Sequence, residues 1–258
     1  MSFQVGGIPV LQKSTLPPET PGTNYTGPES STTLLPSGHQ KSPEWRALPS
    51  PIIFEHNVSL ILRDGTIIYA DIFRPPNPTN KVPALLAWGP FGKSSVGFFS
   101  LDLIPGRSGI PKSSLSGYQN WEAPDPAEWI DRGYAIVNVD PRGVFDSEGS
   151  IRWFGTAEGR DGYDAVEEIA NMDWCDGSVA VVGNSWLAIA QWFIAAERPP
   201  SLKAIAPFEG ASDVYRELLC RGGVSYLPFW GFLGGHLCGE CELSLEVGVG
   251  LRVEDEIC

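Results

Sequence analysis

From residue 52 onward, apolar residues fall into short runs separated by polar, glycine-rich or proline-rich joints. IIFEHNVSLIL (52–62) and TIIYADIF (66–73) are strand-like runs on either side of RDG, and the Asp64-Gly65 pair is a hairpin signal. VPALLAW (82–88) is continuously apolar, the pattern of a strand buried on both faces, and runs into the loop GPFGKSS. YAIVNVD (134–140) is a second buried strand, followed by the loop PRGVFDSEGS. Over DGYDAVEEIANM (161–172) the period becomes helical. Tyr163, Val166, Ile169 and Ala170 make one face, and Asp164, Glu167 and Glu168 the other. Val179, Val181 and Val182 mark a further short strand. The stretch 186–196, apolar nearly all round except Gln191, predicts a buried helix of about three turns. Pro199-Pro200 stops it. KAIAPFEG (203–210) is another strand, while residues 100–128, with several Gly, Pro and Ser, read as loop. Strands alternating with helices predict an α/β domain with a largely parallel sheet.

The ends differ from this middle. Residues 1–50 are rich in Pro, Ser, Thr and Gly and show neither a helical nor a strand period, so they predict an extended arm, draped over the domain or disordered. Order is expected from Ile52. The core is assigned to 51–216, and 217–258 to the start of a cap or to an aberrant tail.

Composition narrows the partners. A net charge of −13 argues against a nucleic-acid partner, because phosphate binding needs clustered Lys and Arg. The longest apolar run is about half of the roughly 20 residues a spanning helix needs, and the N-terminus lacks a basic region followed by a long apolar core. The five cysteines follow no regular framework, which fits a reducing, cytoplasmic setting. His236, Cys238 and Cys241 form HLCGEC, with C-x-x-C spacing but no second pair at a distance suited to structural zinc. No metal or cofactor is expected, and nothing sets the oligomeric state.

Candidate chemistry concentrates in SVAVVGNSWLAIAQW (178–192), which reads as strand, tight turn and helix with Ser185 at the corner. A serine there sits at a helix N-terminus, where the backbone N–H of Trp186 points at a developing oxyanion. The same residues also read as a Gly-Asn-Ser turn entering a core helix. The local pattern leaves both open.

More motifs occur in order: RDGT before YADIFRP, AWGPFGK after a strand, VDPRGVFDSEG before EGRDGYDAVEEIA, and MDWCDGSVAVVGNSW before QWFIAAERPPSLKAIAPFEGASDVYRE. Over about residues 50–225 the chain resembles the Xaa-Pro dipeptidyl-peptidase-like hydrolases, the family of cocaine esterase and the cephalosporin acylases. The resemblance implies an α/β-hydrolase sheet with flanking helices, no cofactor, and a small ester, amide or peptide as substrate. It implies Ser185 as nucleophile and the Trp186 N–H as oxyanion donor. The family's second donor is a tyrosine hydroxyl, and Phe91 stands at that position.

There are other departures. Trp186 replaces the usual Tyr, Ala188 the elbow's final Gly, and Phe145 a Gly of the D-x-R-G-x-G-x-S-x-G loop, whose Asp140, Arg142, Gly143, Ser147 and Gly149 match. In the family that loop is mainly structural. The resemblance places the triad Asp and His after Ser185. His39 and His56 precede it, His236 follows too soon, and Asp213 matches a segment leading into the cap. The chain is therefore expected to be truncated within the cap, with the Asp and His beyond it. The alternative is a catalytically inactive, hydrolase-like fragment or interaction module.

Overall fold

The apolar runs assemble into one mixed sheet of seven strands. A computed structural model describes residues 3–5, 8–10, 25, 27–76, 80–93 and 101–225. The strands are β1 (Phe3–Val5), β2 (Ile8–Val10), β3 (Ser31–Leu35), β4 (Ile52–Ile61), β5 (Ile67–Arg74), β6 (Val82–Trp88), β7 (Ala135–Asp140), β8 (Cys175–Asn184), β9 (Leu202–Phe208), β10 (Cys220–Arg221) and β11 (Val224–Ser225). β1–β2 and β10–β11 form two small antiparallel pairs. The main sheet has the order β3-β4-β5-β7-β6-β8-β9.

Its two halves run differently. From β3 to β7 every neighbour is antiparallel; from β7 through β6 and β8 to β9 every neighbour is parallel. The largely parallel sheet predicted from the alternation of strands and helices is thus half parallel. The hairpin at Asp64-Gly65 joins β4 to β5 within the antiparallel half, and its turn is held by the Thr66 N–H donating to Asp64 Oδ1 at 3.1 Å.

The sheet begins earlier than Ile52. β3 lies within the expected arm and pairs antiparallel with β4, Ser31 opposite His56 and Leu35 opposite Ile52. The next residues fold back, and the Leu48 N–H donates to the His39 carbonyl at 2.9 Å. Strand period is invisible here because four of the five β3 residues are exposed, so no alternation of apolar and polar is selected.

Pleating divides the core. On one face Leu60, Ile68, Ile72, Leu86, Val137, Val139, Val179 and Val181 pack against α2 (Thr156–Ala170) and α3 (Trp186–Ala196) through Ala165, Val166, Ile169, Ala190 and Ile194. On the other, Ile52, Phe73, Leu85, Ile136 and Val182 are covered by Leu48 of the arm and by Ala127 and Ile130 in and beside α1 (Pro126–Trp129). Asp125 caps α1, its Oδ1 accepting from the Ala127 N–H at 2.9 Å.

The predicted helix 161–172 starts five residues earlier, at Thr156. Gly159 and Gly162 weaken its helical signal, but both face α3 and carry no side chain to hold it away.

Buried ionic bonds fasten the loops that leave β6 and β7. Lys93 Nζ donates to Asp140 Oδ2 at 2.9 Å and its backbone N–H to Oδ1 at 2.6 Å. Burial works against the Lys93 charge, but Asp140 and Asp71 outweigh it and raise its pKa. Arg142 grips Asp161 with two hydrogen bonds, Nε–Oδ2 at 2.7 Å and Nη2–Oδ1 at 2.8 Å, and also donates to Thr66 and Asp64. Ser147 bridges the loop to β5, donating to the Asp140 carbonyl and accepting from the Tyr69 N–H. Phe145, where the resemblance has a glycine, adopts φ 48°. A side chain in that region costs on the order of 1 kcal/mol.

Candidate active site

Ser185 occupies the single-residue corner between β8 and α3, with φ 54° and ψ −113°. This backbone is unfavourable for a residue with a Cβ. Two backbone bonds hold it from either side: the Ser185 N–H donates to the Phe208 carbonyl at 2.9 Å, and the Asn184 N–H to the Glu122 carbonyl at 3.0 Å. The Ser185 carbonyl accepts from the Ala188 and Ile189 N–H groups, so the helix begins at once.

Close packing makes the corner possible. Gly183 has φ 152°, and a Cβ there would stand 2.5 Å from the Leu187 Cβ. Ala188, in place of the expected glycine, is accommodated by a neighbour. A Cβ on Gly210 would lie 2.7 Å from the Ala188 Cβ, so the Ala188 methyl occupies room that Gly210 leaves open.

Trp186 opens α3 and is 8% exposed. Its indole sits among Phe91, Trp153 and Phe154, with ring centroids at 6.2, 4.6 and 4.4 Å. Trp121 and Ala123 complete this aromatic cluster. Trp186 Nε1 and Trp153 Nε1 are both buried without a hydrogen bond. Phe91 thus meets Trp186 ring to edge, and its side chain has no donor to offer an oxyanion.

Glu158, on α2, fixes part of this wall. It accepts from Trp88 Nε1 at 3.1 Å and from the Phe154 N–H at 2.6 Å. Burial pushes its carboxyl up to about 7.

The residue that sequence reasoning missed is Glu122. It lies in the loop before α1, at φ 62°. Burial pushes its carboxyl up to about 7, while Asn184, the Ser185 hydroxyl and the Trp186 N–H all favour its charged form and Glu209 opposes it. Its Oε1 takes a long hydrogen bond of 3.5 Å from Asn184 Nδ2, and its Oε2 is buried without one of full geometry. Turned over, the same Asn184 amide donates instead to the Phe208 carbonyl and to Glu209. Nothing in the stretch NWEAPDP marks a glutamate that the fold carries to Ser185, 63 positions onward.

The other candidates lie elsewhere. His39 Nε2 contacts the Tyr118 hydroxyl at 2.8 Å, and His56 Nδ1 contacts Asp71 Oδ1 at 2.8 Å, which raises the His56 pKa. Asp213 accepts from the Arg216 N–H in the short turn after β9. His236, Cys238 and Cys241 lie outside the described residues, as does most of the segment read as cap or tail.

A strained serine joining a parallel strand to a helix belongs to a recognisable sequence pattern. The profile of the X-Pro dipeptidyl-peptidase (S15) family matches residues 64–236, more than half of the chain. The chain belongs to the X-Pro dipeptidyl-peptidase (S15) family.

Within the S15 family it is 33% identical over 197 residues to cocaine esterase from Rhodococcus sp. (strain MB1 Bresler), covering 76% of this chain and 29% of that enzyme. A solved CocE/NonD family hydrolase from Staphylococcus aureus superposes with a TM-score of 0.62 at 33% identity, over 70% of this chain and 32% of that one. An aminopeptidase from a marine sediment archaeon, Thaumarchaeota archaeon, shares the fold at a TM-score of 0.51 and 19% identity. The S15 chain described here thus spans about a third of the length of the relatives it matches. Among its described residues, no helix is long and apolar enough to cross a membrane.

Proposed function

We propose that this protein is a serine hydrolase that cleaves a small ester, amide or peptide through an acyl-enzyme on Ser185. The observation that carries this reading is the backbone of Ser185 itself, held at φ 54° and ψ −113° where β8 turns into α3. Such a corner lifts the hydroxyl clear of both elements and sets the next N–H, that of Trp186, toward the same space. Membership of a hydrolase family and likeness to a named esterase support the reaction class.

In this reading Ser185 Oγ forms a bond to the substrate carbonyl carbon, and the carbonyl π pair moves onto oxygen. The hydroxyl proton passes to an imidazole base that is neither of the described histidines, since His39 contacts Tyr118 and His56 contacts Asp71. The tetrahedral intermediate then expels an alcohol or amine, which takes that proton, and water later releases the acid. The Trp186 N–H stabilises the oxyanion at both stages. The aromatic cluster of Phe91, Trp121, Trp153 and Phe154 suits an apolar acyl or leaving group.

The test uses the full-length protein from its native cells and a fluorophosphonate probe. Labelling at Ser185, lost in Ser185→Ala together with about 10⁶-fold of ester turnover, is the expected result. Equal labelling of Ser185→Ala overturns the nucleophile. No labelling of the wild-type protein, with a cooperative melt, favours a non-catalytic hydrolase-like module instead.

A further inference from the structure

Glu122 lies against the serine corner, its backbone carbonyl accepting from the Asn184 N–H at 3.0 Å, and its carboxyl feels the two groups on which the proposed chemistry turns, the Ser185 hydroxyl and the Trp186 N–H. An oxyanion formed at Ser185 must come within reach of that same N–H, and so lies beside the carboxyl. Two full negative charges do not share such a space at low cost. A neutral carboxylic acid does share it, because its O–H points at the developing charge.

The surroundings favour that neutral form. Burial pushes the Glu122 carboxyl up to about 7, and Glu209, beyond the end of β9, adds repulsion. Oε2 is buried without a hydrogen bond of full geometry, so a proton placed there is not already committed. The nearby Phe91 ring supplies no side-chain donor.

We propose that Glu122, as the neutral acid, donates the second hydrogen bond to the oxyanion beside the Trp186 N–H. The inference rests on Ser185 being the nucleophile. No further proton is transferred: when the Oγ–carbon bond forms and the carbonyl π pair moves to oxygen, the Ser185 proton goes to the imidazole base. The Glu122 proton stays on its carboxyl, shared by a hydrogen bond, until the intermediate collapses. When ionised, Glu122 accepts the Trp186 N–H itself and competes with the substrate oxygen. The site therefore weakens as pH rises through about 7.

The experiment measures kcat and KM for an activated aryl ester against pH with the full-length protein, for wild type, Glu122→Ala, Glu122→Gln and Ser185→Ala. Glu122→Ala is expected to lose about 10²–10³ in kcat with little change in KM. Glu122→Gln retains an N–H donor. It is expected to lose no more than about tenfold and to lose the descending limb of the profile near neutral pH. A Glu122→Ala enzyme as fast as wild type, or faster, overturns the donor role. So does a Glu122→Gln enzyme as slow as Glu122→Ala, which points to a base or a scaffold. If Ser185→Ala abolishes turnover while Glu122→Ala is as fast as wild type, only this inference falls. If Ser185→Ala retains turnover, the nucleophile reading falls and this one with it.

Discussion

Glu122, between Trp121 and Ala123, and Glu158, bonded to the Phe154 N–H, both border the aromatic cluster, and burial pushes both up to about 7. They differ in what surrounds the carboxyl. Both Glu158 oxygens are taken, one by Trp88 Nε1 and the other by the Phe154 N–H. Glu122 has at most one long bond, lost when the Asn184 amide turns to Phe208 and Glu209, and one buried oxygen without a full one, next to a strained serine. A raised pKa alone therefore does not mark a reactive carboxyl. A satisfied acid is a structural fastener; an unsatisfied one beside a nucleophile is available for chemistry.

The contrast breaks most directly by truncation. Glu158→Ala leaves a buried and a part-buried donor unpaired and a void, and is expected to cost about 3–5 kcal/mol in urea unfolding. Glu122→Ala should cost under about 1 kcal/mol, because the loop is held by its backbone carbonyl and not by its carboxyl. Equal losses at the two sites end the distinction.

Next in size is a pH effect. The Glu158 carboxyl has an ordinary value of 4.5 in the unfolded chain and about 7 in the fold. Between these values the folded protein holds a proton that the unfolded chain has lost. Stability from this group is full below 4.5 and is lost as pH rises through about 7, by on the order of 3 kcal/mol. Denaturation of Glu158→Gln should lack that fall; a fall of equal size in both proteins assigns it elsewhere.

The smallest effect sharpens the comparison. Trp88→Phe removes one of the two Glu158 partners and should cost about 1–2 kcal/mol. Since the Trp88 bond favours the charged carboxyl, its loss should extend the falling limb to higher pH. A limb that moves to lower pH refutes this account of Glu158.

Much of this fold was legible from the chain. VPALLAW and YAIVNVD became the central strands β6 and β7, and the 186–196 segment, apolar except for Gln191, became α3 within the predicted bounds. Period and burial coincide there, so pattern suffices. They part company in β3, which is mostly exposed, and in the first two turns of α2, where Gly159 and Gly162 serve close packing. At the site, Gly183 and Ser185 were visible because a turn of this geometry restricts residue choice. Glu122 was not visible, because only the tertiary path of the 116–125 loop brings it to α3. Ala188 looked like a departure from pattern until Gly210, far along the chain, proved to supply the missing room.

One bond at the corner links the candidate chemistry to motion. The Ser185 N–H is held by the carbonyl of Phe208, the last residue of β9, whose only strand neighbour among the described residues is β8. That amide exchanges with solvent when the end of β9 lifts away from β8 and from Gln191 of α3, which is hydrogen-bonded to Ala206. Its exchange rate is a direct clock for how often the serine is released from its strained posture.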